Sequence, residues 1–178
     1  IFGKNRHGNA EYLATEAQQH NFGYLMVAAQ QNEQNIIYSS SAIRRLLTMG
    51  DIAAANKLLG YNYHISGKVL EGDKRGRELG FPTANISLRN LLPVQFGVYK
   101  ILVTIAGKQY KAIANIGIKP TFGDNKPMLE AHIFNFSDEI YNQNIKVEFV
   151  EFIRAERKFA NIEQLKNQIK CDIKHANQ

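Results

Sequence analysis

Near residue 60 the periodicity of the apolar residues changes, and this change limits the folds open to the chain. Before it, helical and strand patterns alternate. Asn9 stands where it can cap a helix carrying Ala10, Leu13, Ala14 and Ala17 on one face. Residues 22–27 read as a buried strand, and 36–38 as a second, shorter one. Ser39-Ser40-Ser41 opens another helix with Ile43, Leu46 and Leu47 on it. Asp51 caps a third, which Gly60 ends. Alternating strands and helices predict an α/β unit with parallel strands, yet so few elements cannot cover both faces of such a sheet. Residues 1–60 therefore read as the C-terminal part of a larger domain.

From Tyr63 onward β-rich runs take over. Residues 96–105, a turn at Ala106-Gly107-Lys108 and residues 109–116 predict a hairpin, and residues 129–136 predict another strand. In residues 145–154 apolar side chains fall at both parities, which predicts a strand buried on two sides. Several short strands with turn signals predict a closed or nearly closed antiparallel barrel. Asn161 and Gln164 have the spacing of a capping box. Ile162, Leu165, Ile169 and Ile173 form one stripe of a final helix, expected to pack on the barrel. The second domain is expected to span residues 61–178.

Charge and cysteine content narrow the function. A net charge of +6 favours an anionic partner: nucleic acid, membrane surface or a phosphorylated small molecule. The cations are scattered, with small concentrations at Arg44-Arg45 and across residues 74–77. Apolar runs are too short for a membrane span. The single cysteine, Cys171, excludes an internal disulfide framework, which fits a reducing cytoplasm, and no His or Asp is placed to activate it.

The densest signal lies in residues 67–85, GKVLEGDKRGRELGFPTAN. Gly72, Gly76 and Gly80 permit backbone conformations closed to other residues and let amides approach an anion, while Lys74, Arg75 and Arg77 add positive charge. Such a loop suits nucleotide phosphates, although turns at barrel corners also favour glycine. Gly67 and Gly72 have Walker A spacing, but Asp73-Lys74 follows and no evident helix does, which excludes that loop. Pro82 stiffens the chain before Thr83 and Asn85. A Thr hydroxyl can ligate Mg²⁺ and an Asn can orient a phosphate or a metal-bound water; a simple Thr/Asn turn is the bland alternative.

With its flanking residues, this run resembles the signature of riboflavin kinases: Gly67-x-Val69-x-x-Gly72, then Gly76-Arg77-x-Leu79-Gly80-Phe81-Pro82-Thr83-Ala84-Asn85. Further matches follow in order: Gly97-Val98-Tyr99, Ala114-Asn115-Ile116-Gly117 with Pro120-Thr121-Phe122, Leu129-Glu130-x-His132-Ile133-Phe134-x-Phe136, Tyr141, and Phe152-Ile153-Arg154-x-Glu156-x-x-Phe159. The resemblance covers residues 60 to 173. It implies ATP and riboflavin as substrates, FMN as product and Mg²⁺ as cofactor. It places Thr83 and Asn85 at the metal and phosphates, the glycine loop with Gly72, Lys74, Gly76, Arg77 and Gly80 over the nucleotide, and Glu130 as the general base. His132 shares the strand parity of Glu130 and reads as structural or orienting rather than as a metal ligand. Lys119 stands where the family often has Arg, which keeps the charge and loses bidentate geometry. Tyr61-Asn62 replaces the usual Arg-Pro.

The first 60 residues resemble the later part of a bacterial FMN adenylyltransferase domain, through Phe2-Gly3-x-x-Arg6-x-Gly8 and Tyr38-Ser39-Ser40-Ser41-x-Ile43-Arg44. In bifunctional FAD synthetases that domain precedes the kinase. Ser40, Ser41 and Arg44 would then be the remnant of its phosphate site, at a helix start where amide donors and the helix dipole favour an anion. No His-x-Gly-His element is found in the chain, so these 178 residues are expected to carry only the kinase step, with FAD made by an intact parent. The implied fold is mixed α and β: a Greek-key-like antiparallel barrel with a C-terminal helix, preceded by the tail of a Rossmann-like nucleotidyltransferase domain. Two other readings stay open, a basic barrel for single-stranded nucleic acid and an inactive flavin-binding remnant.

Overall fold

Three helices begin where their capping residues predict. The structure, a computed structural model, describes residues 2–31, 37–72, 75–88, 94–118 and 127–178. Helix α1 (Ala10–Gln19) starts at Asn9, whose side chain accepts from Tyr12 N at 2.8 Å. Helix α2 (Ser40–Thr48) starts at Ser39, which accepts from Ala42 N at 3.1 Å. Helix α3 (Ile52–Leu59) starts at Asp51, which accepts from Ala54 N at 3.1 Å, and ends at Gly60. Each such cap contributes about 1 kcal/mol.

The chain divides into two compact units, residues 1–38 and 39–178. In the first, a 3-10 turn at Lys4–Arg6 is closed by paired backbone bonds between Phe2 and Gly8, both 2.9 Å, and α1 follows. The strand expected over residues 22–27 does not form. Residues 22–30 have no regular structure, and Leu25 is 86% exposed. Ile37 makes an isolated bridge to Gln31, and Ile36 lies outside the described residues. An apolar run becomes a strand only where a neighbour takes up its backbone hydrogen bonds, and no described segment of this unit supplies that neighbour.

Among its described residues the second unit holds six strands: β1 (His64–Lys68), β2 (Ala84–Ser87), β3 (Gly97–Ile105), β4 (Lys108–Ile118), β5 (Pro127–Ile133) and β6 (Asn144–Ala155). They form one antiparallel sheet in the order β1-β6-β3-β4-β5-β2. Consecutive strands β3, β4 and β5 pair in turn, and β6 returns beside β3, which is Greek-key order. The β3–β4 hairpin turns on Ala106 and Gly107, both at positive φ (46° and 81°), as a two-residue turn of that twist requires. The two edges meet through an antiparallel bridge in which Leu70 N donates to Asn85 O at 2.8 Å, so the barrel is nearly closed.

Strand β6 is not buried on both faces. Ile145, Val147 and Phe149 point inward, while Lys146, Glu148 and Val150 are half-buried. Its mixed apolar pattern comes from register shifts against β3. Ile101 faces Phe149 and Lys100 faces Glu151, which leaves Val150 extra; Tyr99 faces Phe152 and Val98 faces Arg154, which leaves Ile153 extra. Each bulge exchanges the faces, so an apolar residue is needed at both parities.

Helices α2 and α3 pack against the barrel. Leu47, Ile52 and Ala55 join the same buried cluster as Tyr99, Ile101 and Phe149. Asn56 Nδ2 donates to Phe149 O at 2.9 Å, and Tyr63 N donates to Asn56 Oδ1 at 2.7 Å. The compact unit thus begins at Ser39, whereas the change in hydrophobic period falls near residue 60.

Helix α5 (Ile162–Asn177) starts at Asn161, which accepts from Gln164 N at 2.9 Å, while Gln164 Oε1 accepts from Ala160 N. Its buried residues are Ala176 and Asp172; Leu165, Ile169 and Ile173 are half-buried and Ile162 is exposed. Asp172 takes a core-facing position because Arg154 on β6 meets it with two guanidinium nitrogens, at 3.1 and 2.8 Å.

Tyr99 is fully buried, with Phe149 and Phe152 edge-on at 5.2 and 5.1 Å, and its hydroxyl donates to the Gln95 carbonyl. Burial pushes its pKa well above the ordinary 10.0. The native state therefore keeps the proton while unfolded chains lose theirs, and stability falls as pH rises through about 10. Tyr99→Phe should cost about 1 kcal/mol at pH 7 and flatten the alkaline loss, as read by urea unfolding at pH 7 and above pH 10. An unchanged alkaline slope would contradict this.

Candidate active site

Strand register brings three polar side chains together on the outer face of the barrel. Asn85 on β2 pairs with Glu130 on β5, and Glu130 pairs with Asn115 on β4. The next residues along, Ala84, Ala131 and Ala114, belong to the core, as strand alternation demands. His132 lies two residues beyond Glu130, on the same face. Its Nδ1 donates to the Pro82 carbonyl at 2.9 Å, and its ring packs edge-on against Phe81 and Phe134. It thus ties β5 to the backbone just before Thr83.

The glycine-rich segment lies over this row. Residues Arg75–Glu78 make one helical turn, α4, which the sequence pattern did not reveal because Gly76 sits inside it. Phe81 N donates back to Gly76 O at 2.7 Å, and Gly80 turns in the left-handed region. A Cβ at Gly76 would lie 2.5 Å from Phe81 O and 3.2 Å from Thr83 Oγ1, and a Cβ at Gly72 would collide with Asn85 Nδ2. The two glycines therefore let the backbone rest directly on Thr83 and Asn85. Lys74 lies outside the described residues, as do Lys119, Pro120, Thr121 and Phe122.

Being covered, Asn85 is only 4% exposed although it sits on the outer face. Among the described residues its Oδ1 is buried without a hydrogen-bond partner. An unpaired buried amide oxygen costs about 1–3 kcal/mol, and a hard cation with oxygen ligands relieves such a cost. A small cavity of about 30 Å³ adjoins Gly72, Arg77, Thr83, Asn85 and Tyr141. Beside it, sharing Arg77, Thr83 and Tyr141, opens a cleft of about 480 Å³ with an apolar wall that includes Val69, Ile133 and Phe136. Donor set, orphaned oxygen and cavity fit Mg²⁺ held by Thr83 and Asn85. Among the described residues no cluster of three His, Cys, Asp or Glu could hold a metal instead.

Two contacts escaped the sequence reading. Tyr141 lines both cavities, and Asn115 Nδ2 donates to Glu156 Oε1 at 3.2 Å. Both depend on register and loop path, which residue spacing does not encode. Ser40, Ser41 and Arg44 meet at the first turn of α2, where Arg44 Nη1 donates to Ser40 Oγ at 3.4 Å, and they line neither cavity. Cys171 is free and exposed on α5.

A family model described as Flavokinase, riboflavin kinase, matches residues 59–178. The chain belongs to the riboflavin kinase family. It is 41% identical over 175 residues to a bifunctional riboflavin kinase/FMN adenylyltransferase of Buchnera aphidicola subsp. Schizaphis graminum, covering 97% of this chain and 56% of that protein. The protein so described from Bacillus subtilis is 45% identical over 148 residues, covering 81% and 47%. The chain thus spans about half the length of the curated relatives it matches. A crystal structure described as a macrolide-efflux protein from Streptococcus pneumoniae aligns with a TM-score of 0.84 at 31% identity, covering 99% of this chain and 57% of that one. Among the described residues here, no helix is long and apolar enough to cross a membrane. The family match assigns the barrel to riboflavin kinase and does not favour the nucleic-acid alternative.

Because the Asn85 oxygen is unpaired, Asn85→Leu should leave stability within about 1 kcal/mol of the parent or raise it, as measured by urea unfolding without ligand. A loss above about 2 kcal/mol would show that the amide is kept for structure.

Proposed function

We propose that the outer-face row carries out phosphoryl transfer from ATP to the 5′-hydroxyl of riboflavin, with Glu130 as general base. The riboflavin oxygen forms a bond to the γ-phosphorus while the bond to the β,γ-bridging oxygen breaks. ADP leaves with that electron pair, and the hydroxyl proton passes to the Glu130 carboxylate. One carboxylate suffices, since phosphoryl transfer rests mainly on positioning and charge neutralisation. Thr83 Oγ1 and Asn85 Oδ1 are the groups that would hold Mg²⁺, which when bound neutralises charge on the phosphate oxygens. The backbone around Gly72, Gly76 and Gly80 covers the phosphates, with Lys74 and Arg77 adding positive charge. The neighbouring cleft has the size and apolar wall for an aromatic heterocycle.

The observation that supports this most strongly is the buried, unpaired Asn85 oxygen, next to Glu130 across one strand pair and beneath the glycine loop. We further propose that an intact parent also adenylylates FMN to FAD, with residues 1–60 as the end of a Rossmann-like adenylyltransferase domain and Ser40, Ser41 and Arg44 at its phosphate site. Work in the cytoplasm on small-molecule substrates fits both steps.

FMN formation from riboflavin, ATP and Mg²⁺ tests the reading. Glu130→Gln should lower kcat by at least ~100-fold while ADP still binds. Full turnover in Glu130→Gln would remove Glu130 from the chemistry. Flavin and nucleotide binding with no FMN from the parent would identify an inactive remnant.

A further inference from the structure

Glu156 follows the end of β6 and is exposed, yet its carboxylate is seated rather than free in water. Asn115 Nδ2 donates to its Oε1 at 3.2 Å. It also rests on Gly117, a buried residue of β4, where any Cβ would collide with Oε1. Asn115 is the cross-strand partner of Glu130.

The geometry points to Glu156 as a positioning residue for phosphoryl transfer, acting through Asn115 on Glu130. This rests on the reading of Glu130 as the base. Directly opposed residues on neighbouring antiparallel strands have Cβ atoms only about 4.5–5.5 Å apart, so the rotamer of one limits the other. An outward-facing Asn has several rotamers and two amide orientations open to it. A hydrogen bond to a carboxylate is charge-assisted and selects one of them. With Asn115 fixed, the side chain of Glu130 has one neighbour of constant shape and polarity on the β4 side.

The seat is anchored from the far side. Arg154, two residues before Glu156, donates through Nε and Nη2 to Asp172, which is 3% exposed on α5. Gln168 Nε2 also donates to Asp172, at 2.7 Å. The chain therefore leaves β6 from a fixed point, and Gly117 supplies the space into which the next carboxylate folds.

The test is the steady-state kinetics of FMN formation by four variants of the full chain. Glu156→Ala should lower kcat about tenfold, the scale of a slight misplacement of a reacting group, with KM for ATP unchanged. Glu156→Gln should recover most of that loss, because its amide oxygen still accepts from Asn115. Gly117→Ala leaves Glu156 in place chemically but expels it from its seat, so it should match Glu156→Ala. The double variant Gly117→Ala/Glu156→Ala should be no worse than either single one, since both remove the same interaction. Parental kcat in Glu156→Ala, a Gln variant as slow as the Ala variant, or additive losses in the double variant would each overturn the proposal. Because the parent chain and Glu130→Gln are assayed alongside, failure of this inference is distinguishable from failure of Glu130 as the base.

Discussion

A backbone hydrogen bond from Leu70 N to Asn85 O at 2.8 Å joins the two edges of the sheet, and the candidate site depends on that junction. A hydrogen bond of this kind contributes only about 1 kcal/mol net; its importance is geometric. It brings the start of the glycine segment alongside β2, so that Gly72 lies on the Asn85 side chain and Gly76 on Thr83. An outer-face asparagine thereby becomes buried, and its carbonyl oxygen is left without a partner among the described residues. Barrel closure and the burial of this oxygen are the same event.

The other side of the row is held differently. Asn115 borders Glu130 on the β4 side and donates to Glu156, and the Arg154–Asp172 ion pair ties the end of β6 to α5. A buried pair of this kind adds little net stability, but losing one partner is costly, at about 3–5 kcal/mol. That favours a single arrangement of the strand end. Asn85, Glu130 and Asn115 therefore stand on paired strands, and the close approach of the backbone at Gly72 and Gly76 to Asn85 and Thr83 depends on two missing side chains.

Much of this was legible in the sequence, and the reason lies in range. Asn9, Asp51 and Asn161 cap their helices through bonds to residues three positions away, so their signals are local. Alternation along β5 places Glu130 and His132 on one face without knowledge of any partner. By contrast, the bulges at Val150 and Ile153 exist only relative to β3. Asp172 interrupts an apolar stripe because of Arg154, eighteen residues earlier. Residues 22–27 look like a strand by composition but gain no partner among the described residues, and the apolar faces of α2 and α3 join the barrel core. Each departure was decided by a contact that no window of sequence contains. For the candidate site, the riboflavin kinase resemblance named the residues, whereas the orphaned Asn85 oxygen and the Glu156 seat required the strand register.

The central claim is that the Asn85 oxygen is a metal ligand in waiting, and a crystal structure of the chain with ADP and Mg²⁺ tests it most directly. The account predicts a Mg²⁺ ion bridging the nucleotide phosphates with Asn85 Oδ1 and Thr83 Oγ1 at about 2.0–2.1 Å. A Mg²⁺ ion bound to the phosphates through other groups, with the Asn85 oxygen still unpaired, would contradict it.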